Sequence, residues 1–173
     1  MSQKNKSTKF VNIADPLVSI ITPTYNRRNL LKRTLDSLVN QSYKNIEILV
    51  INDCGVNVED VVNEFKDNRI RYFQNDKNVG LAATRNVGLE NMRGDYFCLC
   101  DDDDIYMKYA IEIRMYLMKK LNAEASYTRS LLDHWEKRGD GYVSIGKTLY
   151  WSNPYFSKDL ILVQNLCPCS NST

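Results

Sequence analysis

Only seven glycines occur in 173 residues, and none falls into the spaced pattern of a Rossmann dinucleotide loop or a P-loop. A phosphate bound here would have to be met by a cation or by arginine. There is one histidine, His134, with no serine or cysteine near it in sequence to form a nucleophilic pair, so it receives no catalytic role. No apolar run is long enough to span a bilayer, and the polar opening "MSQKNKSTKFVNIADP" lacks the apolar core of a signal peptide. A cytoplasmic protein is the expectation, with the inner face of a membrane as a second location. Lysine and arginine total 23 against 21 acids and are scattered, not gathered in a stripe, which excludes nucleic acid as the expected partner. Five cysteines are an odd number, and Cys98 and Cys100 sit in an expected core strand, so free thiols are expected instead of a disulfide framework. The pairs Cys98/Cys100 and Cys167/Cys169 do not have the usual spacing of a zinc site.

What is present is the usage of a globular domain, 43% hydrophobic and 25% charged. Residues 1–15 read as a flexible lead-in and 16–173 as one domain. "LVSIIT" (17–22) and "IEILVI" (46–51) are continuous β-branched runs, the pattern of strands buried on both faces. Between them, residues 27–40 set Leu31, Leu35 and Leu38 at helical spacing, with Asn26 as the expected N-cap. Val58, Val61, Val62 and Phe65 mark a second helix, "IRYF" (70–73) a third strand, residues 80–92 a third helix and "DYFCLC" (95–100) a fourth strand. Another helix is expected over 107–121, with Ala110, Ile111, Leu117, Met118 and Leu121 on its apolar face, followed by strands joined at "KRGDG". Strand and helix alternate, which predicts an α/β fold: a Rossmann-like, mostly parallel sheet flanked by helices, with ligands outside the carboxyl ends of the strands.

Three polar clusters converge on that rim: "TPTYN", "NDCG" and "DDDD". In an extended backbone Asp101 and Asp103 point to one side and Asp102 and Asp104 to the other, with same-side Cα atoms roughly 6.5 Å apart. Carboxylates in that arrangement suit Mg²⁺ or Mn²⁺, which take oxygen ligands and keep positions open for waters and phosphates. A solvated acidic loop is the plain alternative, and an EF-hand is excluded because Tyr106 stands where its turn glycine is required. Asp53 could accept from a ring N–H or a ribose hydroxyl, or simply form a turn with Gly55. Tyr25 offers a flat face for a nucleobase beside the Thr22 hydroxyl, and "NVGLAATRN" carries Asn78 and Arg85, whose planar fork suits a phosphate.

"VSIITPTYNRRNLLKRTLDSLVNQSYKNIEILVINDCG" followed by "NVGLAATRNVGLENMRGDYFCLCDDDDIY" resembles the N-terminal half of a family 2 glycosyltransferase of the GT-A, nucleotide-diphospho-sugar transferase type, over about residues 17–107. The resemblance implies inverting transfer of a sugar from a nucleoside-diphosphate donor, UDP-linked by preference, to a hydroxyl of a glycan or cell-surface polysaccharide precursor. It also implies a divalent cation, Mn²⁺ or Mg²⁺. By position, Thr22, Pro23, Thr24, Tyr25 and Asp53 would bind the nucleoside, Asp53 at its base, with Asn78 and Arg85 also on the donor side. In the D-x-D-D element, Asp103 would bind the metal, Asp101 is the first acid and second candidate ligand, Asp102 lies near the ribose, and Asp104 braces the loop. Asn52 departs from the second aspartate that many relatives carry. Relatives continue past "CPCSNST" into the segment that shapes the acceptor site and supplies the catalytic carboxylate, so the chain reads as shortened and no base is assigned. A non-catalytic nucleotide-sugar binding module is the alternative; a sugar nucleotidyltransferase would need glycine in "TPTYNRRN".

Overall fold

The computed structural model describes residues 15–126, 130–139 and 141–150. The chain divides into two compact units, Met1–Ile111 and Glu112–Thr173. In the first, four strands, β1 (Val18–Thr24), β2 (Ile46–Asn52), β3 (Ile70–Gln74) and β4 (Tyr96–Leu99), alternate with helices α1 (Arg28–Val39), α2 (Glu59–Glu64) and α3 (Leu81–Asn91). All pairings are parallel and the sheet order is β3-β2-β1-β4. Every residue of β1 and β2 is buried, as continuous apolar runs require in the middle of a covered parallel sheet. The partly exposed β3 and β4 lie at the two edges.

α1 buries Leu31, Leu35 and Leu38 completely on its apolar face. Asn26 does not cap it. The cap residue is Arg27, without a side-chain bond to the helix, while Asn26 sits at φ 56° and its Oδ1 accepts the Val56 N–H at 2.8 Å. A bond to the neighbouring strand's loop has displaced the local cap. α3 lies close to the sheet because it carries Gly88: a Cβ there would stand 2.4 Å from Ile21 Cγ2. Ile21, Leu49 and Ile51 form the core cluster beneath, with Phe73 and Val87 packed on it.

The amino-terminal edge of the sheet is closed by a buried ion cluster. Glu47 accepts the Ser19 hydroxyl at 2.6 Å and Arg71 Nη1 at 2.9 Å, and also takes the Arg93 N–H. Burial raises the Glu47 carboxyl, but these donors and the Arg71 charge outweigh it and hold the carboxyl below its ordinary 4.5. A depressed folded-state value contributes stability that is complete above 4.5 and is lost as pH falls through the folded value. Urea midpoints measured from about pH 5 down to about pH 3 should therefore fall with acid. The fall should be shallower in Glu47→Gln; an equal slope would mean the cluster does not carry the acid sensitivity.

α4 (Ala110–Leu121) starts three residues later than the periodicity suggests, after a turn at Lys108–Tyr109. Of its expected apolar face, Ile111 and Met118 are buried, whereas Leu117 and Leu121 are exposed. In the second unit β5 (Ser130–Arg138) and β6 (Gly141–Tyr150) pair antiparallel, with a bulge between His134 and Trp135. His134 Nε2 lies 3.0 Å from Thr148 Oγ1 across this hairpin, a bond within the hairpin itself. Cys54, Cys98 and Cys100 take part in no disulfide; Cys167 and Cys169 lie outside the described residues, as does the expected lead-in up to residue 14. Among the described residues no helix is long and apolar enough to cross a membrane.

Candidate functional site at the carboxyl rim of the sheet

β2 and β3 extend the sheet from one side of β1 and β4 from the other, so the chain reverses direction of growth between β1 and β4. In an open parallel sheet the place for a ligand is outside the carboxyl ends of the strands at such a reversal, where the loops leaving β1 and β4 lie. Both loops are the ones the sequence singles out, Tyr25–Arg27 and the four aspartates.

The four acids are not extended. β4 ends at Leu99, and the Asp104 N–H bonds the Asp101 carbonyl at 3.0 Å, closing a turn over Asp102 and Asp103. Alternation of sides therefore does not apply to them. α1 holds the turn from below: the Thr34 hydroxyl lies 2.8 Å from the carbonyl oxygens of both Asp102 and Asp104. One turn further, Ser37 Oγ accepts the Tyr106 N–H at 3.1 Å and donates to the Thr34 carbonyl at 2.7 Å. Beyond the helix end, Gln41 donates through Nε2 to Met107 at 3.0 Å and to Tyr106 at 3.3 Å, and its Oε1 accepts the Ile111 N–H at 3.4 Å. Tyr106 in turn donates its hydroxyl to the Leu99 carbonyl at 2.9 Å. Thr34 and Gln41 are fully buried.

Above this brace the carboxylates are matched by arginine and threonine. Thr24 Oγ1 donates to Asp102 Oδ2 at 2.7 Å. Arg27 Nη1 reaches Asp103 Oδ2 at 2.9 Å and Asp102 Oδ1 at 3.4 Å. Arg85 Nη2 contacts both oxygens of Asp101, at 2.6 and 2.9 Å, while its own Nε is buried without a partner among the described residues. Burial pushes the Asp102 carboxyl above its ordinary range, against the Thr24 bond and the Arg27 charge. Asp104 is pushed up to about 6, first by burial and then by the charges of Asp101 and Asp103. It has no ion-pair partner among the described residues. Three of the four carboxylates thus share two guanidinium groups and Asp104 meets neither, which leaves the turn with an excess of negative charge.

The other expected residues fall as follows. Thr22 and Pro23 are enclosed within β1, and the Thr22 hydroxyl has no partner among the described residues. Of that segment the Tyr25 ring is the part open to solvent, at 47%. Asp53 is 5% exposed and accepts from Asn75 Nδ2, the Val79 N–H and the Gly80 N–H, each at 2.9 Å. Those bonds overcome the upward push of burial and hold its carboxyl below the usual range. The Thr84 hydroxyl adds a fourth contact, so the carboxylate is engaged on all sides from within the fold. Asp53 also fixes the loop that carries the exposed Asn78. Asn52 is turned inward, bonding Gly55, Val56 and the Tyr72 hydroxyl. Arg27, Thr34, Ser37 and Gln41 were not singled out by the sequence reading. The available signal was polar residues at i, i+3 and i+7 beside the leucine stripe of α1.

A divalent cation, which the resemblance implies, can be tested against these donors. Among the described residues no three His, Cys, Asp or Glu side chains gather into a closed cage. Hard cations of the Mg²⁺ type do not need one, since they use one or two carboxylates and fill the remaining positions with water and phosphate. All the donors here are carboxylate oxygens. Asp103 is the most open of the four and meets Arg27 through one oxygen only, so the donor set fits.

The family described as "Glycosyl transferase family 2" matches residues 19–170. An uncharacterized glycosyltransferase of Rickettsia felis is 41% identical over 120 residues, 68% of this chain and 20% of that protein. The putative teichuronic acid biosynthesis glycosyltransferase TuaG of Bacillus subtilis is 33% identical over 116 residues, 65% of this chain and 46% of its own length. Among solved structures, S. aureus TarS 1-349 in complex with UDP-GlcNAc superposes with a TM-score of 0.55 and 26% identity, covering 60% of this chain and 31% of that one. The chain therefore spans less than half the length of each of these relatives.

Proposed function

Because the chain belongs to glycosyltransferase family 2, we propose that its rim between β1 and β4 binds a nucleoside-diphosphate sugar, UDP-linked by preference, together with Mn²⁺ or Mg²⁺. The protein it forms transfers the sugar with inversion to a hydroxyl of a glycan or cell-surface polysaccharide precursor. The observation that carries this reading is the turn over Asp101–Asp104, braced from α1 and open above at the reversal point of the sheet. The named role of TuaG in teichuronic acid biosynthesis and the UDP-GlcNAc bound to TarS support the acceptor and donor classes.

In this reading the exposed ring of Tyr25 stacks on the base, and Asp53, which fixes the loop carrying Asn78, lies at the base and ribose. Asp102, held by Thr24, lies on the ribose side, and Asn78 borders the donor. Asp103 holds the cation, with Asp101 beside it; Arg85 fixes Asp101 and brings positive charge to the rim. A bound cation neutralises the leaving diphosphate and stabilises its departure. The acceptor's general base is not assigned to any residue described here. Calorimetry with UDP should show binding in Mn²⁺ and loss of that binding in chelator. Binding of ADP with equal or greater affinity would remove the uridine preference, and binding indifferent to chelator would remove the metal.

A further inference from the structure

Resting on that reading of the site, we infer that Arg27 is a built-in counter-ion that holds Asp103 in the metal-free protein and competes with the divalent cation for it. Arg27 stands at the N-cap of α1, directly after Tyr25 and Asn26, and one of its nitrogens spans two neighbouring acids, Asp102 and Asp103. Without it, four consecutive carboxylates in one turn would face each other with Arg85 as the other guanidinium in contact, and Arg85 is occupied by Asp101.

The two arginine pairs are not equivalent. Arg85 and Asp101 retain 17% and 10% side-chain exposure, with both carboxylate oxygens taken, so this pair is a fixed part of the fold. Arg27 and Asp103 retain 35% and 32%, and the contact to Asp102 is longer at 3.4 Å. A half-solvated pair of this kind is weak enough to exchange. A dication arriving at Asp103 replaces one positive charge by two at the same oxygens. Arg27 can then leave Asp103 without stranding a buried charge, because it already reaches the rim water. The turn thus keeps its shape with and without the ion, and the ordering cost falls on folding instead of on binding. Arg27 is in this sense a positioning residue.

The competition has a sign that a purely structural role would not give. Arg27→Gln should bind Mn²⁺ alone, with no nucleotide present, roughly three- to fivefold more tightly than the wild type, the scale of an exposed ion pair. Arg27→Lys keeps the charge and should stay near wild type. Adding Asp103→Asn to Arg27→Gln should erase the gain. Titration followed by the free Mn²⁺ paramagnetic resonance signal reads all four proteins directly. Unchanged or weaker Mn²⁺ binding in Arg27→Gln overturns the inference, as does a gain that survives loss of Asp103, or an Arg27→Lys variant that gains as much as Arg27→Gln. If the wild type still binds UDP in a Mn²⁺-dependent way while Arg27→Gln shows no gain, the competition fails and the functional reading stands. If Mn²⁺ binds neither protein and the wild type shows no Mn²⁺-dependent binding of UDP, both fall.

Discussion

Asp103→Asn is expected to lower Mn²⁺-dependent UDP affinity by about 100-fold or more, equivalent to roughly 2.7 kcal/mol, while leaving the fold intact. Asp103 is the most exposed acid of the turn, and among the described residues its carboxylate contacts Arg27 and supports no backbone group. Removing it therefore strands nothing in the interior. Loss of the Arg27 pair and relief of repulsion among four clustered acids oppose each other, so folding stability should change by less than about 1 kcal/mol. Affinity and stability are thus predicted to separate. Calorimetry and a thermal melt on the same preparation check both; an affinity within a few-fold of wild type would remove Asp103 from the metal.

Gln41→Leu is expected to show the reverse pattern, a large loss of stability from a residue distant from any ligand. Gln41 is fully buried and bonds the carbonyls of Ser37, Tyr106 and Met107 and the N–H of Ile111. Leucine fills a similar volume but leaves those loop groups without partners, at a cost of about 1–3 kcal/mol for each group that finds no water. A total loss of roughly 2–4 kcal/mol follows, since some of the groups can reach solvent. The segment that follows the acidic turn should loosen with it. Hydrogen exchange at Tyr106 and Ile111 should accelerate more than exchange in β1 and β2. If stability falls but exchange accelerates equally everywhere, Gln41 is an ordinary core residue and not a brace of this loop.

The parts of the fold that were legible are those written in local periodicity. β1 and β2 announced themselves as unbroken β-branched runs because both faces are covered, and α1 by Leu31, Leu35 and Leu38 at helical spacing. The rim could be found because a parallel sheet puts every strand-to-helix loop on one side, which brought "TPTYN", "NDCG" and "DDDD" together. What stayed hidden is the choice of partner across long separations. Nothing near Arg27 says that its guanidinium meets carboxylates 75 and 76 residues later, or that Arg85 meets Asp101. The same cause explains the errors. Asn26 has the chemistry of a helix cap, yet a bond from Val56 claims its oxygen. The four aspartates look extended by continuity with β4, yet the Thr34 hydroxyl and the Asp104 N–H bend them into a turn. Thr34 and Ser37 read as the polar side of an amphipathic helix and Gln41 as a residue past its end, whereas all three face a loop backbone.

The central claim is that the turn over Asp101–Asp104 is a metal and diphosphate platform. Crystals soaked with UDP and Mn²⁺ and measured at the manganese absorption edge test it most directly. The account predicts an anomalous peak at coordination distance from an Asp103 oxygen, about 2.0–2.3 Å, with diphosphate oxygens on the same ion and the uracil against Tyr25. A peak at any other position, or UDP bound away from the β1 and β4 ends, would contradict it.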